Sequence, residues 1–89
     1  MLYIITREDC PYCSAAKRSI DRILKEKPAL QELQFAYLEE KEDVTSEYDY
    51  YYTPAFFWDK EKLAEGSFAE ETVAEILSRA HNLQRQSTE

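Results

Sequence analysis

The chain has 89 residues and a formal net charge of −7 at pH 7, because 18 acidic residues outnumber 11 basic ones. This length accommodates one domain, and a hydrophobic content of 44% is enough for a small core. The acidic balance argues against nucleic acid and anionic membrane surfaces as partners, because both require a basic patch. No segment is apolar enough to span a bilayer and no secretory signal is visible, so we expect a cytoplasmic location.

The first predicted elements are a strand and a helix, which meet at the only two cysteines. Residues Leu2–Thr6 form an apolar run without alternation, which is typical of a strand buried on both faces. The helix that follows begins near Pro11, carries its apolar residues on one stripe and ends before Pro28. The segment Cys10–Cys13, with the sequence Cys-Pro-Tyr-Cys, therefore spans the junction between strand and helix.

The position of Cys10 favours a reactive thiolate. At the cap of the helix, its sulfur lies beside the backbone N–H groups of the first turn and at the positive end of the helix dipole. Both effects lower the pKa of a cysteine. Cys13 is close enough to attack a mixed disulfide on Cys10, which completes a two-electron exchange. We expect Cys10 to be the accessible thiol of low pKa and Cys13 the buried one.

Two other interpretations of the cysteine pair are weaker. A closed zinc site needs four ligands, and outside the pair the chain offers only His81 and carboxylates. We expect no metal site, and we expect His81 to be a solvated helix residue. A structural disulfide between Cys10 and Cys13 would close too short a loop to constrain the unfolded chain much. Redox chemistry is the favoured interpretation.

A second strand and a hairpin are predicted in the middle of the chain. Alternation over Leu33–Leu38 indicates a strand, and strands joined through a helix are mostly parallel with a right-handed crossover. The tyrosine-rich stretch Val44–Tyr51 is expected to hold a short second helix, although its helix propensity is poor. Two further strands, Ala55–Trp58 and Lys62–Glu65, are predicted to pair as a hairpin.

A last helix completes the predicted domain. The run Ser67–Glu70 has the Ser-x-x-Glu form of a capping box, and an apolar helical stripe follows as far as Leu83. Polar residues 84–89 predict a frayed tail. The domain is therefore expected to span residues 1–83.

The order of these elements, with Cys-x-x-Cys at the first strand-to-helix junction, resembles the thioredoxin fold. This is an α/β fold with a four-stranded mixed sheet, flanked here by about three helices. The segment Cys10–Cys13 carries the dithiol sequence typical of glutaredoxins, and Thr53-Pro54 before the third strand is a second match. In this fold such a proline is cis and lies beside the dithiol. The resemblance therefore implies that Pro54 is cis and close to Cys10.

The resemblance also implies roles for individual residues. Cys10 is the nucleophile and Cys13 the resolving thiol. Arg7 matches a basic position that pairs with a glutathione carboxylate, and Thr53 matches a residue whose backbone receives the bound cysteinyl unit. Tyr12, between the cysteines, is expected to be exposed and to contact the substrate.

The run after the hairpin departs from the glutaredoxin pattern. Glutaredoxins have Gly-Gly there, followed by an acidic or hydroxyl residue, whereas this chain has Glu65-Gly66-Ser67-Phe68. Gly66 and Ser67, expected at a helix start, remain candidates for holding the γ-glutamyl carboxylate of glutathione. Glu65 adds negative charge and Phe68 offers no side-chain hydrogen bond. We therefore expect weak glutathione binding.

These features predict a monomeric, glutaredoxin-like thiol–disulfide oxidoreductase that reduces disulfides of protein substrates or glutathione mixed disulfides. Glutathione or a flavin-dependent reductase would restore the dithiol, and no tightly bound cofactor is expected. One alternative is a thioredoxin-like electron donor independent of glutathione. Another is a binding module in which two chains share an iron–sulfur cluster through Cys10 and glutathione. The stiffening effect of Pro11 is typical of redox members of the family and disfavours that module.

Overall fold

The computed structural model describes residues 1–87 of the chain. Two short 3-10 helices, Pro28–Glu32 and Asp43–Glu47, lie on either side of the second strand. Within residues 1–87, neither α-helix combines the length and the apolar character needed to cross a membrane. The strands and α-helices are β1 (Leu2–Thr6), α1 (Pro11–Glu26), β2 (Phe35–Glu39), β3 (Ala55–Trp58), β4 (Glu61–Glu65) and α2 (Glu70–Ser87).

The four strands form one mixed sheet in the order β2-β1-β3-β4. Strand β1 runs parallel to β2 and antiparallel to β3, and β3 and β4 pair as an antiparallel hairpin. Because Ile5 of β1 lies opposite Ala55 of β3, the last residues of β1 and the first residues of β3 lie side by side at the same end of the sheet. The topology therefore brings the start of α1 and the segment that precedes β3 to the same place.

Both α-helices and the first 3-10 helix cover one face of the sheet. Side chains alternate along a strand, so Leu2 and Ile4 of β1 point to this face together with Phe56 of β3. Ile20 of α1 and Leu77 of α2 pack onto them and are fully buried. This is the main hydrophobic core, and it fixes α1 against the sheet.

The opposite face of the sheet is covered by tyrosines. The ring of Tyr48 lies 4.9 Å from that of Phe57 and the ring of Tyr50 lies 6.5 Å from it, both edge-on. The short α-helix predicted over Val44–Tyr51 is absent, and the segment contains only the 3-10 turn Asp43–Glu47. Residues with poor helix propensity, such as Val, Thr and Ser, account for this difference. Among residues 1–87 the sheet thus has two flanking α-helices where about three were predicted.

The last helix begins later than its sequence predicts. Helix α2 starts at Glu70, three residues after the expected cap at Ser67. The Glu70 carboxylate accepts hydrogen bonds from Nε and Nη2 of Arg22 at 2.8 and 2.6 Å. This ion pair joins α1 to α2. The local Ser-x-x-Glu pattern gives no indication that Glu70 pairs with a residue of another helix.

The C-terminal part of α2 also differs from expectation. The predicted frayed tail starts at Gln84, yet the helix continues to Ser87, and residues 88–89 lie outside the described part. The Gln84 side chain donates to the carbonyl of Glu32 at 2.8 Å and accepts from the backbone N–H of Gln34 at 2.7 Å. His81, expected to be solvated, is buried, and its Nε2 lies 3.1 Å from a Glu32 carboxylate oxygen.

Candidate active site

Cys10 caps helix α1 with its sulfur. Its backbone is extended, with φ −106° and ψ 105°, and Pro11 occupies the first helical position. The Cys10 Sγ accepts the backbone N–H of Cys13 at 3.1 Å, and the Cys10 carbonyl accepts the N–H of Ser14 at 3.1 Å. The predicted cap is therefore present, with a sulfur in the place that a serine or aspartate oxygen usually occupies.

The segment Thr53–Pro54, just before β3, also lies against the Cys10 sulfur. The Thr53–Pro54 peptide bond is cis, as the resemblance implies, and Pro54 is buried. The Thr53 hydroxyl lies 3.6 Å from Cys10 Sγ and the Thr53 carbonyl oxygen lies 3.9 Å from it. Residues 43 positions apart in the sequence thus share one site, because β1 and β3 are neighbours in the sheet.

The two thiols have opposite electrostatic environments. Burial raises the pKa of the Cys10 thiol, but hydrogen bonds from the Cys13 thiol, the Thr53 hydroxyl and the Cys13 backbone N–H outweigh it. Together with the positive charge of Arg7, they hold the pKa of Cys10 below its ordinary value. For Cys13, burial is the largest effect, and the hydrogen bond to Cys10 adds to it, so the pKa is raised. Cys10 is therefore the thiol that ionises first.

Both cysteines are buried, which differs from the expected accessible Cys10. The exposed fraction is 4% for Cys10 and 2% for Cys13. Thr53 lies directly against the Cys10 sulfur, a proximity that the local sequence around the cysteines does not show. Burial also strengthens each hydrogen bond to the sulfur, because the local dielectric constant is low.

The charged residues before Cys10 have different surroundings. The Glu8 carboxylate lies 2.8 Å from Lys41 Nζ. Asp9 adopts a left-handed conformation with φ 60°, which aspartate tolerates better than most residues. Arg7 is exposed, and its charge favours the Cys10 thiolate.

Three tyrosines near the dithiol are exposed. Tyr12, on the first turn of α1, has an exposed fraction of 59%, and Tyr51 and Tyr52, just before Thr53, have 80% and 67%. Tyr12 is exposed as predicted, whereas Tyr48 and Tyr50 pack against the sheet. Exposed aromatic side chains can bury a large area against a partner at a low cost in side-chain entropy.

Gly66 and Ser67, the candidates for holding a carboxylate of glutathione, have different environments. Gly66 has φ +103°, a conformation that glycine adopts readily, and its N–H donates to the carbonyl of Pro54 at 2.9 Å. Ser67 is exposed, but the expectation that it starts a helix is wrong, because α2 begins at Glu70. Ser67 therefore lacks the helix N-terminus that was expected to attract an anion.

Phe68 is a half-buried residue at the margin of the main core. Its ring lies 6.0 Å from that of Phe56 in an edge-on arrangement, and it packs against the main core. The departure from the glutaredoxin pattern at this position thus places an apolar ring against the core. It adds packing area where a polar residue would contact a ligand.

Sequence reasoning missed the contacts of Glu65. One carboxylate oxygen accepts the backbone N–H groups of Tyr51 and Tyr52 at 2.6 and 3.0 Å, and the other accepts Lys62 Nζ at 2.7 Å. These bonds, that to Lys62 first, lower the pKa of Glu65 to about 2. No local signal in the sequence identifies Tyr51 and Tyr52 as partners of Glu65, because they belong to another segment of the chain.

The arrangement has the chemistry of a dithiol. Among residues 1–87 no group of three His, Cys, Asp or Glu side chains is placed to hold a metal ion. The Cys10 sulfur is positioned to act as a thiolate nucleophile, and the Cys13 thiol is a hydrogen-bond partner of it. Such a pair can exchange two electrons with a disulfide.

Comparison with known proteins identifies the fold. No family model matches the chain, and no curated protein matches it significantly in sequence. Among solved structures, it is similar to the periplasmic thioredoxin SoxS from Paracoccus pantotrophus in its reduced form, with a TM-score of 0.65 and 16% identity. The match covers 91% of this chain and 94% of that one. The chain therefore has a thioredoxin-like fold.

Proposed function

We propose that this protein is a thiol–disulfide oxidoreductase of the glutaredoxin-like dithiol type, in which Cys10 is the nucleophile and Cys13 the resolving thiol. The observation that carries the proposal is the environment of the Cys10 sulfur. It accepts the Cys13 N–H at 3.1 Å and faces the Thr53 hydroxyl at 3.6 Å. Both contacts favour a thiolate, which is the nucleophilic form of cysteine.

The reaction proceeds through two exchanges. The Cys10 thiolate attacks one sulfur of a substrate disulfide, that S–S bond breaks, and the other substrate sulfur leaves as a thiolate that takes up a proton. Cys13 then loses its proton and attacks the Cys10 sulfur of the mixed disulfide. A bond forms between Cys10 and Cys13, and the second substrate thiol leaves. Two electrons pass from the dithiol to the substrate, and glutathione or a flavin-dependent reductase returns them.

The residues around the dithiol have supporting roles in this proposal. The backbone of Thr53, beside the Cys10 sulfur, receives the substrate chain. Tyr12 and the two exposed tyrosines before Thr53 supply apolar contact area for a protein substrate. Arg7 attracts an acidic group of the substrate. We propose that the protein acts as a monomer in the cytoplasm, where thiols are kept reduced.

The second candidate is a thioredoxin-like electron donor that does not use glutathione. Three observations favour it. Ser67 is not at a helix start, the half-buried Phe68 ring packs against the core, and the Glu65 carboxylate is occupied by partners in its own chain. The first two remove a contact that the γ-glutamyl end of glutathione would need, and the third keeps a negative charge where the glutaredoxin pattern has glycine.

Two assays test the function and then separate the candidates. In a single turnover, the pre-reduced protein is expected to reduce a protein disulfide faster than a glutathione mixed disulfide, with Cys10→Ser as the inactive control. Steady-state turnover is then compared with glutathione and with a thioredoxin reductase as the reductant. Equal rates on both disulfides would contradict weak glutathione recognition, and no reduction of either would contradict the function. An absorption spectrum of anaerobically purified protein tests the iron–sulfur alternative.

A further inference from the structure

The segment before β3 is tied to the end of β4 at three points. The carboxylate of Glu65 accepts the backbone N–H groups of Tyr51 and Tyr52 at 2.6 and 3.0 Å. The next residue, Gly66, donates its N–H to the carbonyl of Pro54 at 2.9 Å. The three bonds bracket a single residue, Thr53.

Thr53 is the residue that contacts the Cys10 sulfur. Its hydroxyl lies 3.6 Å from Cys10 Sγ, and this contact lowers the pKa of the thiol. Because Tyr52 and Pro54 are both held from β4, a shift of the Thr53 backbone requires one of those bonds to break. The end of β4 therefore sets the position of the backbone that carries the hydroxyl.

The Glu65 carboxylate is well suited to hold this segment. Its side chain is 18% exposed, and its second oxygen is engaged by Lys62 Nζ at 2.7 Å. With a pKa of about 2, the carboxylate stays ionised at neutral pH. Hydrogen bonds that involve an ionised partner are roughly twice as strong as neutral ones, so two such bonds restrain the segment firmly.

We propose that Glu65 is a positioning residue for the dithiol, because its carboxylate fixes the segment 51–53 and thereby holds the Thr53 hydroxyl against the Cys10 sulfur. Glu65 acts through Thr53. The inference concerns the site of the proposed oxidoreductase, but it rests on thiol ionisation and is measured without any redox substrate. The inference about Glu65 can therefore fail while the proposed function stands, and the proposed function can fail while the inference about Glu65 stands.

The sign of the effect distinguishes positioning from simple electrostatics. A nearby negative charge raises the pKa of a thiol, so a direct electrostatic effect predicts that removal of Glu65 lowers the pKa of Cys10. Positioning predicts the opposite, because Thr53 loses its place beside the thiolate. The pKa of Cys10 should then rise.

The test is the pH profile of alkylation by iodoacetamide, with the labelled cysteine identified by mass spectrometry. Glu65→Ala is expected to raise the pKa of Cys10 and to slow its alkylation below that pKa by about tenfold, as expected when a hydrogen bond to a charged group is weakened. Glu65→Gln keeps an acceptor oxygen for the two N–H groups, so a smaller change of the same sign is expected. Glu61→Gln, an exposed change on the same strand, is the matched control and should have no effect.

A double variant tests whether the effect passes through Thr53. In a Thr53→Val background, where the hydroxyl is replaced by a methyl group, Glu65→Ala is expected to produce no further change. A lowered or unchanged Cys10 pKa in Glu65→Ala would overturn the proposal, as would the same tenfold loss with and without the Thr53 hydroxyl. If Glu65→Ala does not fold, Glu65→Gln decides alone, and a rise in the Cys10 pKa is the supporting result.

Discussion

Replacing Cys10 with serine is expected to reduce disulfide reduction to the uncatalysed background, whereas Cys13→Ser is expected to stop the reaction after its first step. The physical reason is that the two thiols differ in how strongly their surroundings favour the thiolate. Only Cys10 combines a helix-cap hydrogen bond, the Thr53 hydroxyl and the charge of Arg7, all of which favour its thiolate. The hydroxyl of serine is too weak an acid to replace a thiolate at neutral pH.

The two variants are compared after incubation with a protein disulfide in the absence of any other thiol. Cys13→Ser should accumulate a mixed disulfide on the Cys10 sulfur, visible by intact mass, because no resolving thiol remains. Cys10→Ser should form none. Substantial activity of Cys10→Ser, or trapping on Cys13 in that variant, would reverse the assigned roles.

Phe57→Ala is expected to have the largest effect on stability among single changes on the tyrosine-covered face of the sheet. Phe57 is 1% exposed, and Tyr48 and Tyr50 pack edge-on against its ring. Truncation of a buried phenylalanine to alanine costs about 3–5 kcal/mol of unfolding free energy, through lost transfer energy and a cavity. No α-helix among residues 1–87 covers this face. Few neighbouring side chains could therefore move, together with the two tyrosines, into the cavity that the phenylalanine ring leaves.

Chemical denaturation measures this effect, with Tyr51→Ala as the control. Tyr51 precedes the same strand but is 80% exposed, so its truncation should change the unfolding free energy by no more than about 0.5 kcal/mol. A loss of less than about 1 kcal/mol in Phe57→Ala would show that the tyrosine-covered face contributes little to stability.

The fold was largely predictable because its strands are marked by composition. Strands β1 and β3 have the predicted bounds, Leu2–Thr6 and Ala55–Trp58, since both are short apolar runs that end at polar residues. Strand β2 begins two residues later than predicted, although Leu33 is buried as its apolar character suggests. The four-stranded mixed sheet is confirmed.

The errors arose where tertiary contacts override local patterns. The Ser-x-x-Glu run at Ser67 has the form of a capping box, but Glu70 pairs with Arg22 on another helix. His81 lies on a helix with polar neighbours, yet it is buried and contacts Glu32 from a distant segment. In each case the partner is roughly 50 residues away, beyond what helical periodicity can indicate.

The candidate site was also predictable only where local sequence or the resemblance determines it. The cap at Cys10 follows from a cysteine and a proline at a helix start, and the cis bond at Pro54 follows from the resemblance to the thioredoxin fold. The burial of Cys10 and the role of Glu65 depend on how Thr53 is placed by β3 and β4. These are properties of the sheet, so no short sequence motif contains them.

Separate titration of the two thiols tests the central claim most directly. The reduced protein is alkylated over a range of pH, and the extent of labelling at Cys10 and at Cys13 is measured by mass spectrometry. Since the pKa of Cys10 is lowered and that of Cys13 is raised, Cys10 should be labelled first and its rate should level off at a lower pH. At about pH 6 the label should be found almost entirely on Cys10. Preferential labelling of Cys13, or equal labelling of both at every pH, would contradict the account.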